Sequence, residues 1–190
     1  MQTAFIAISS ALAFCSPLVY VRAILRGEAK PHRTTRIVLL IITVLTFASL
    51  LAQHNTVAIW LAGVSVFQSV LIFILSIKYG MGGWAKTDFA CLIIALIGIV
   101  LWQTTNQPVL ALYAAILADF TGMVPALIKT FRYPETEIWA FYLMDVFASI
   151  FTLMALENWA IHEYSYPIYV FLINLAMVLL VVRPKKSRTS

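Results

Sequence analysis

The sequence predicts an all-α integral membrane protein with seven transmembrane helices. Hydrophobic residues make up 62% of the 190 residues and charged residues only 11%, a composition outside the range of ordinary soluble domains. Apolar runs of about 20 residues recur along the chain, and that is the length a helix needs to cross about 30 Å of hydrocarbon. The thirteen lysines and arginines fall only in alternate connections and in the C-terminal tail. Charge placement therefore gives an odd number of crossings.

The seven segments follow from these runs, and the charges orient them. The segments are 3–22, 37–53, 57–77, 87–103, 108–128, 138–157 and 164–182. The connections after segments 2, 4 and 6 contain no lysine or arginine. Because short basic loops remain in the cytoplasm, the N-terminus is expected outside and the C-terminus inside a cell membrane, either an inner or a plasma membrane.

Two groups of three segments share one plan. Segment 1 contains Pro17 near its cytoplasmic end and leads into a basic loop with a proline; segment 5 contains Pro125 at the matching depth and leads into a similar loop. Segments 2 and 3 are joined by a tight external turn, as are segments 6 and 7. Segments 3 and 7 each contain one amide in mid-span, Gln68 and Asn174.

Segment 4 separates these two groups. It follows the glycine-rich stretch 78–88 and has no charged residue between Phe89 and Leu101. A three-helix unit begins outside and ends inside, so one extra crossing is needed before a copy can begin outside again. The sequence thus predicts a 3+1+3 arrangement of parallel repeats. Residues 1–77 form the first repeat, 78–107 the linker loop and linker helix, and 108–190 the second repeat with a basic tail.

A short motif after segment 5 resembles a known transporter superfamily. Val124-Pro125-Ala126-Leu127-Ile128-Lys129 is followed by Arg132 and by Pro134-Glu135-Thr136-Glu137. Together with the 3+1+3 plan, this proline, the basic residue four positions later and the polar loop resemble the SWEET and PQ-loop transporters. The chain departs from their pattern because Leu18 follows Pro17 and Ala126 follows Pro125, where that superfamily has glutamine.

The resemblance implies a fold, an activity and a binding site. It implies alternating access, with the prolines as hinges, and a small polar solute such as a sugar as substrate. Gln68 and Asn174 fall where SWEETs have a substrate-contacting asparagine pair, and Trp159 falls near a substrate-stacking tryptophan. Paired kinks at Pro17 and Pro125 are typical of hinges, although static kinks that shape the bundle fit the same positions.

Two carboxylates lie at membrane depth, where ionisable residues are usually functional. Asp119 is in segment 5 and Asp145 in segment 6, at depths that differ by only ~6 Å. They are candidates for proton coupling or substrate binding. The alternative is a carboxyl group hydrogen-bonded to a neighbouring helix. Gln68 and Asn174 likewise have an alternative role, as interhelical hydrogen-bonding groups, and Trp159 as an interfacial tryptophan.

These features favour a membrane transporter that works by alternating access, as a uniporter or coupled to protons. The alternatives are an accessory or structural protein, a sensory seven-helix protein and an intramembrane enzyme. The last segment lacks the lysine that a retinal protein needs, and no catalytic motif is present, so we expect no enzyme activity, no cofactor and no metal. The expected partners are a small polar solute, the lipid bilayer and a second copy of the chain, but no nucleic acid.

Overall fold

The computed structural model describes residues 2–52, 58–83, 85–105, 108–157 and 159–183; for 46, 48–52, 58–62, 64, 102, 108, 111, 112 and 162 it describes the backbone alone. This part of the chain forms seven α-helices and one short 3₁₀ helix. The α-helices are α1 (Gln2–Leu25), α2 (Arg33–Ala52), α3 (Ala58–Tyr79), α4 (Lys86–Thr104), α5 (Pro108–Arg132), α6 (Trp139–Met154) and α7 (Ile161–Val182). The 3₁₀ helix, Pro134–Thr136, lies between α5 and α6.

Several of the described helices have the composition of membrane-spanning segments, and three also have the length. Among the described residues, three helical stretches are long and apolar enough to cross a membrane: Gln2–Leu25, Tyr113–Arg132 and Glu163–Val182. Ser65–Tyr79 and Trp139–Met154 are shorter apolar helices. Because backbone polar groups inside a bilayer must be satisfied within the chain, helices are the expected solution. The predicted class, an all-α membrane protein, is confirmed.

Six of the helices pack in a closed ring. Around it, α1 contacts α3, α3 contacts α2, α2 contacts α5, α5 contacts α7, α7 contacts α6, and α6 contacts α1. Helix α4 lies outside the ring, mainly against α5 and to a lesser extent against α2. Among the six ring helices, in the described part of the chain, Cα atoms come within 8 Å of each other only between ring neighbours. The space inside the ring is therefore filled only by side chains.

Three connections and the end of α7 meet at one end of the ring, which we call the basic end. The amide of Lys30, between α1 and α2, donates a 2.8 Å hydrogen bond to the Thr136 carbonyl, between α5 and α6. The amide of Met81, between α3 and α4, donates to the Pro31 carbonyl at 3.0 Å. Arg183, just after α7, donates to the Phe131 carbonyl. The predicted basic loops thus lie side by side.

His32 occupies the junction between two of these connections. Its ring is 5% exposed and lies against Gly82, where a Cβ atom would be only 2.3 Å from the His32 Nε2 atom. Gly82 also has a φ of +73°, which glycine adopts readily. Burial lowers the pKa of His32 below its ordinary value, although Asp88, whose Oδ1 is 3.6 Å from Nε2, acts in the opposite direction. The junction therefore contains a neutral imidazole at neutral pH.

Small residues on α5 bring this helix close to two neighbours. Ala114, Ala118, Gly122 and Ala126 recur every four residues along it, a spacing that favours close helix packing in membranes. A Cβ atom on Gly98 of α4 would be 3.1 Å from the Ala114 carbonyl oxygen and 3.2 Å from Ala118 Cβ. On the α2 side, a Cβ atom on Gly122 would be 2.5 Å from Val38 Cγ1.

Gly122→Ala should therefore destabilise the protein by about 1–3 kcal/mol through overpacking. Val38 is fully buried, so its side chain has little space in which to move. The measurement is thermal unfolding of the purified protein in detergent.

Gly63→Ala is the matched control, because among the described side chains a Cβ atom there would meet the Phe47 ring alone, at an ordinary 3.6 Å. That variant should be as stable as wild type or more so, since alanine favours helix over glycine. Adding Val38→Ala to Gly122→Ala should recover part of the loss. Equal stability of the two single glycine variants would contradict the close contact between α2 and α5.

Candidate substrate site within the helix ring

Apolar side chains from all six ring helices fill the basic-end half of the ring interior. One residue per helix defines what we call the plug: Tyr20, Leu39, Ile72, Met123, Phe141 and Ile173. Leu39 is partly buried and the other five are buried. The rings of Tyr20 and Phe141 are stacked with centroids 4.4 Å apart. The plug therefore closes the ring at this depth.

A polar residue lies one helical turn beyond each plug residue, away from the basic end. Residues four apart share a face of a helix, so these side chains form a second layer over the plug. We call it the polar layer: Ser16, Thr43, Gln68, Asp119, Asp145 and Tyr169. Two of the six are the carboxylates singled out from the sequence, and a third is the predicted amide Gln68.

Both carboxylates accept hydrogen bonds from hydroxyl groups of the same layer. Ser16 Oγ on α1 donates to Asp145 Oδ1 on α6 at 2.6 Å. Tyr169 on α7 donates its hydroxyl to Asp119 Oδ2 on α5, also at 2.6 Å. Short hydrogen bonds to carboxylates are strong. Each carboxylate is thus held by a neighbouring helix and has a second oxygen for other contacts.

Tyr166 lies near both carboxylates. It is on α7, which packs between α5 and α6, and its phenol interacts electrostatically with both Asp119 and Asp145. Its ring centroid is 6.0 Å from that of Tyr169. The side chain is nevertheless 44% exposed. Asp119 and Asp145 therefore both lie near Tyr166, which is itself partly exposed.

The contact between α1 and α6 contains polar pairs at three levels, between stacked aromatic pairs such as Phe5 with Phe151. Gln2 donates to the Ala155 carbonyl at 3.0 Å, and Ser9 shares a 2.7 Å hydrogen bond with Thr152. Ser16 completes the series through Asp145. Gln2, Ser9 and Ser16 are spaced by seven residues, so they form one stripe along α1.

A buried ion pair closes the basic end below the plug. Lys129 at the end of α5 forms it with Glu137, just before α6, and both residues are 5% exposed. Lys129 Nζ also donates to the Lys30 carbonyl at 2.6 Å, and the Tyr20 hydroxyl donates to Glu137 Oε1 at 3.1 Å. The guanidinium of Arg36 lies 4.6 Å from the centroid of the Tyr20 ring. This cluster connects α1, α2 and α5 with the segment before α6.

The same end contains polar atoms that are buried without a hydrogen bond. In the part of the chain that the structure describes, four side-chain atoms are in this state: His32 Nδ1, Thr35 Oγ1, Arg36 Nε and Glu137 Oε2. Each such group destabilises the folded state by about 1–3 kcal/mol relative to a hydrated one. The basic end therefore combines hydrogen-bonded charges with polar atoms that have no protein partner in the described part of the chain.

The other predicted site residues lie in different surroundings. Asn174 is 8% exposed and its amide nitrogen donates to the Val170 carbonyl of its own helix at 2.8 Å, one residue beyond the plug residue Ile173. Trp159 is 66% exposed and lines a groove of about 330 Å³ on α6 and α7 whose other lining residues are apolar. The structure does not bring either residue into the polar layer.

The structure also shows where the two predicted hinge residues lie. Pro17 and Pro125 lie inside continuous helices, α1 and α5, close to the plug. Each removes one backbone hydrogen bond from its helix. Among the described residues, no three His, Cys, Asp or Glu side chains come together as metal ligands.

Sequence reasoning missed Ser16, Tyr166 and Tyr169. A tyrosine or serine within an apolar helix has no signal of its own, because its partner is on another helix. The seven-residue spacing of Ser9 and Ser16 was the one pattern that pointed to a polar stripe. Lys129 and Glu137 were part of the motif after segment 5, but their burial as an ion pair was not predicted.

Comparison with known proteins adds no relative: the chain matches no protein-family model, no curated protein and no solved structure.

Glu137→Gln should destabilise the protein more than Lys129→Met does. Glu137 is the acidic partner of the buried Lys129 and also interacts electrostatically with the Arg36 guanidinium. Its loss removes the acidic partner of the buried Lys129 and a nearby negative charge from the partly buried Arg36, whereas the loss of Lys129 leaves Glu137 with Arg36. Breaking a buried pair by removing one partner typically costs about 3–5 kcal/mol, and we expect Glu137→Gln in that range. Thermal unfolding in detergent measures both variants.

Glu28→Gln is the control, since Glu28 is exposed in the connection between α1 and α2 and should tolerate the change. The double variant Lys129→Met/Glu137→Gln should be more stable than Glu137→Gln alone. A larger loss for Lys129→Met than for Glu137→Gln would show that Arg36 does not share the charge of Glu137.

Proposed function

We propose that this protein is a small-molecule membrane transporter that works by alternating access, as a uniporter or coupled to protons, on a sugar or another small polar solute. The observation that carries this proposal is the polar layer over the plug. Two carboxylates lie inside a six-helix ring, next to the apolar side chains that close it at one end. Ionisable groups at such a depth usually mark the path of a solute or a proton.

The helix contacts support the 3+1+3 repeat plan. In the first triplet α3 lies between α1 and α2, and in the second α7 lies between α5 and α6. The contacts between triplets are α1 with α6 and α2 with α5. Exchanging α1 with α5, α2 with α6 and α3 with α7 leaves this pattern unchanged. Helix α4 stands outside it, as a linker helix would.

The basic connections meet at one end of the ring. This supports seven crossings of a cell membrane, with the N-terminus outside and the C-terminus in the cytoplasm. Under the positive-inside rule the basic end is the cytoplasmic one. The plug and the Lys129–Glu137 pair then close the cytoplasmic side.

Burial along the helices supports an opening on the external side. Within residues 2–15 of α1, and among the described side chains in residues 161–172 of α7, no residue is buried. Both helices acquire buried residues only from Ser16 and Ile173 onward. In α1 and α7 the half far from the basic end is thus less buried than the half near it, as expected for an end state of alternating access that is open to the outside.

Opening the cytoplasmic side requires separation of the two triplets where Tyr20 and Lys30 of the first contact Glu137 and Lys129 of the second. Water can replace these hydrogen bonds in the open state, so their net contribution to the closed state is modest. Pro17 and Pro125 are next to the plug on equivalent helices, and the backbone hydrogen bond that each removes makes bending there less costly. They are the hinge residues of the proposal.

Transport by the purified protein in liposomes tests the proposal directly. A panel of sugars, amino acids and other small polar solutes should contain at least one that enters with and without a pH gradient. Asp119→Asn should then lower uptake roughly tenfold, because a hydrogen bond to a charged group contributes about 1.5–3 kcal/mol. In a proton-coupled carrier the same change should abolish accumulation driven by a pH gradient but preserve exchange, since an amide cannot bind or release a proton.

Glu157→Gln is the matched control, because Glu157 is exposed at the external end and should leave uptake unchanged. Tyr169→Phe, which removes the hydroxyl that Asp119 accepts from, should alter uptake in the same direction as Asp119→Asn. Wild-type transport by Asp119→Asn from about pH 5 to pH 8 would assign the carboxylate a purely structural role.

Topology is tested with single cysteines in a background in which Cys15 and Cys91 are replaced by alanine. A membrane-impermeant maleimide applied to intact cells should label Glu157→Cys and should not label Arg26→Cys. After permeabilisation both should react, since both side chains are exposed. Labelling of Arg26→Cys in intact cells would refute the proposed orientation.

A further inference from the structure

A groove between α2, α3 and α4 lies outside the helix ring and takes no part in the proposed transport path. Its volume is about 440 Å³, within the range of pockets that bind small ligands. It exists because α3 and α4 are consecutive helices that make no backbone contact with each other in the described part of the chain. Helix α2 lies behind the gap, so the groove opens sideways from the bundle.

The groove has apolar walls along most of its length and polar residues at one end. Its apolar walls are Ile37 of α2, Phe73 and Ile77 of α3, and Phe89 and Leu92 of α4. At the basic end it is bordered by Arg33, Thr34 and Asp88. Ile77 and Phe89 are 58% and 50% exposed, as expected for side chains at the border between the groove and the surrounding lipid.

Arg33 is fixed at the polar end and still has hydrogen-bond donors to offer. Its Nη1 atom donates to the Gly82 carbonyl at 3.1 Å and its Nη2 atom to the Ile77 carbonyl at 3.3 Å. A guanidinium has five N–H donors, so three are not used by these contacts. The carboxylate of Asp88 is directed to the loop instead, because Oδ2 accepts from the amides of Gly83 and Ala85. The positive charge is therefore the one presented to an occupant.

We propose that this groove binds an anionic phospholipid, with one acyl chain between α3 and α4 and the phosphate on Arg33. The match is one of shape, depth and charge. The apolar walls run into the membrane-spanning part of the helices, and the guanidinium is at the basic end, where the headgroups of that leaflet lie. Anionic lipids are attracted to lysine and arginine at the membrane surface, and guanidinium binds phosphate oxygens with two parallel hydrogen bonds.

Native mass spectrometry of the delipidated protein, titrated with phosphatidylglycerol or phosphatidylcholine, tests this site. Wild type should retain phosphatidylglycerol more strongly than phosphatidylcholine. Arg33→Gln, which removes the charge, and Leu92→Trp, which fills the groove, should each weaken phosphatidylglycerol retention about tenfold, or ~1.4 kcal/mol.

Two matched controls separate this site from general lipid binding. Arg26→Gln removes an exposed arginine of the connection that precedes α2, and Ile97→Trp adds the same bulk on an exposed face of α4 outside the groove; both should bind like wild type. Equal retention of the two lipids by wild type would refute the headgroup contact. Unchanged phosphatidylglycerol retention in Leu92→Trp would refute the groove as the acyl-chain site. Because Arg33 also contacts backbone carbonyls, Leu92→Trp keeps the test valid if Arg33→Gln fails to fold.

Discussion

A charge placed in hydrocarbon is expensive unless another group holds it, and this constraint organises most of the molecule. The basic residues are confined to one end, where the connections contact each other. The charged groups that do lie at depth are each held by a partner: Asp119 by Tyr169 and Asp145 by Ser16. Lys129 and Glu137 hold each other. Since these partners are on different elements, satisfying the charges also fixes how the helices assemble.

The helices were predictable because hydropathy and length determine them almost independently of tertiary structure. The boundaries differ where a helix extends beyond the hydrocarbon. Segment 2 was predicted to begin at residue 37, whereas α2 begins at Arg33. Its first turn contains Arg33, Thr34 and Arg36, which lower the hydropathy but do not prevent a helix. Hydropathy marks the boundary of the hydrocarbon, whereas the helix itself continues until its backbone hydrogen bonds end.

The candidate site was predictable only in part. The sequence shows how far along a helix a side chain lies, but not whether the side chain points into the ring. Asp119 and Asp145 were identified by their cost in a membrane, and Gln68 by its position in mid-span. Asn174 satisfied the same criterion, yet it donates to its own helix and is buried. Which face of a helix points into the ring depends on the neighbouring helices. Once the plug residues are known, the polar layer is found four residues away from each of them. The plug itself could not be identified from the sequence, because most residues of these helices are apolar and could equally fill the ring.

The plug, the polar layer and the buried ion pair place apolar and polar contacts next to each other. Apolar contacts and stacked rings hold the six helices together at the plug. One turn away each carboxylate is held by a hydroxyl group of a neighbouring helix, and on the other side Lys129 and Glu137 form a buried pair. In the transport cycle that we propose, the apolar contacts would exclude water from the closed end, and water would replace the polar contacts between the triplets when that end opens. Because a hydrogen bond exchanged for water contributes only about 0.5–1.5 kcal/mol net, the proposed opening would cost less free energy than the separation of a purely apolar interface of the same size.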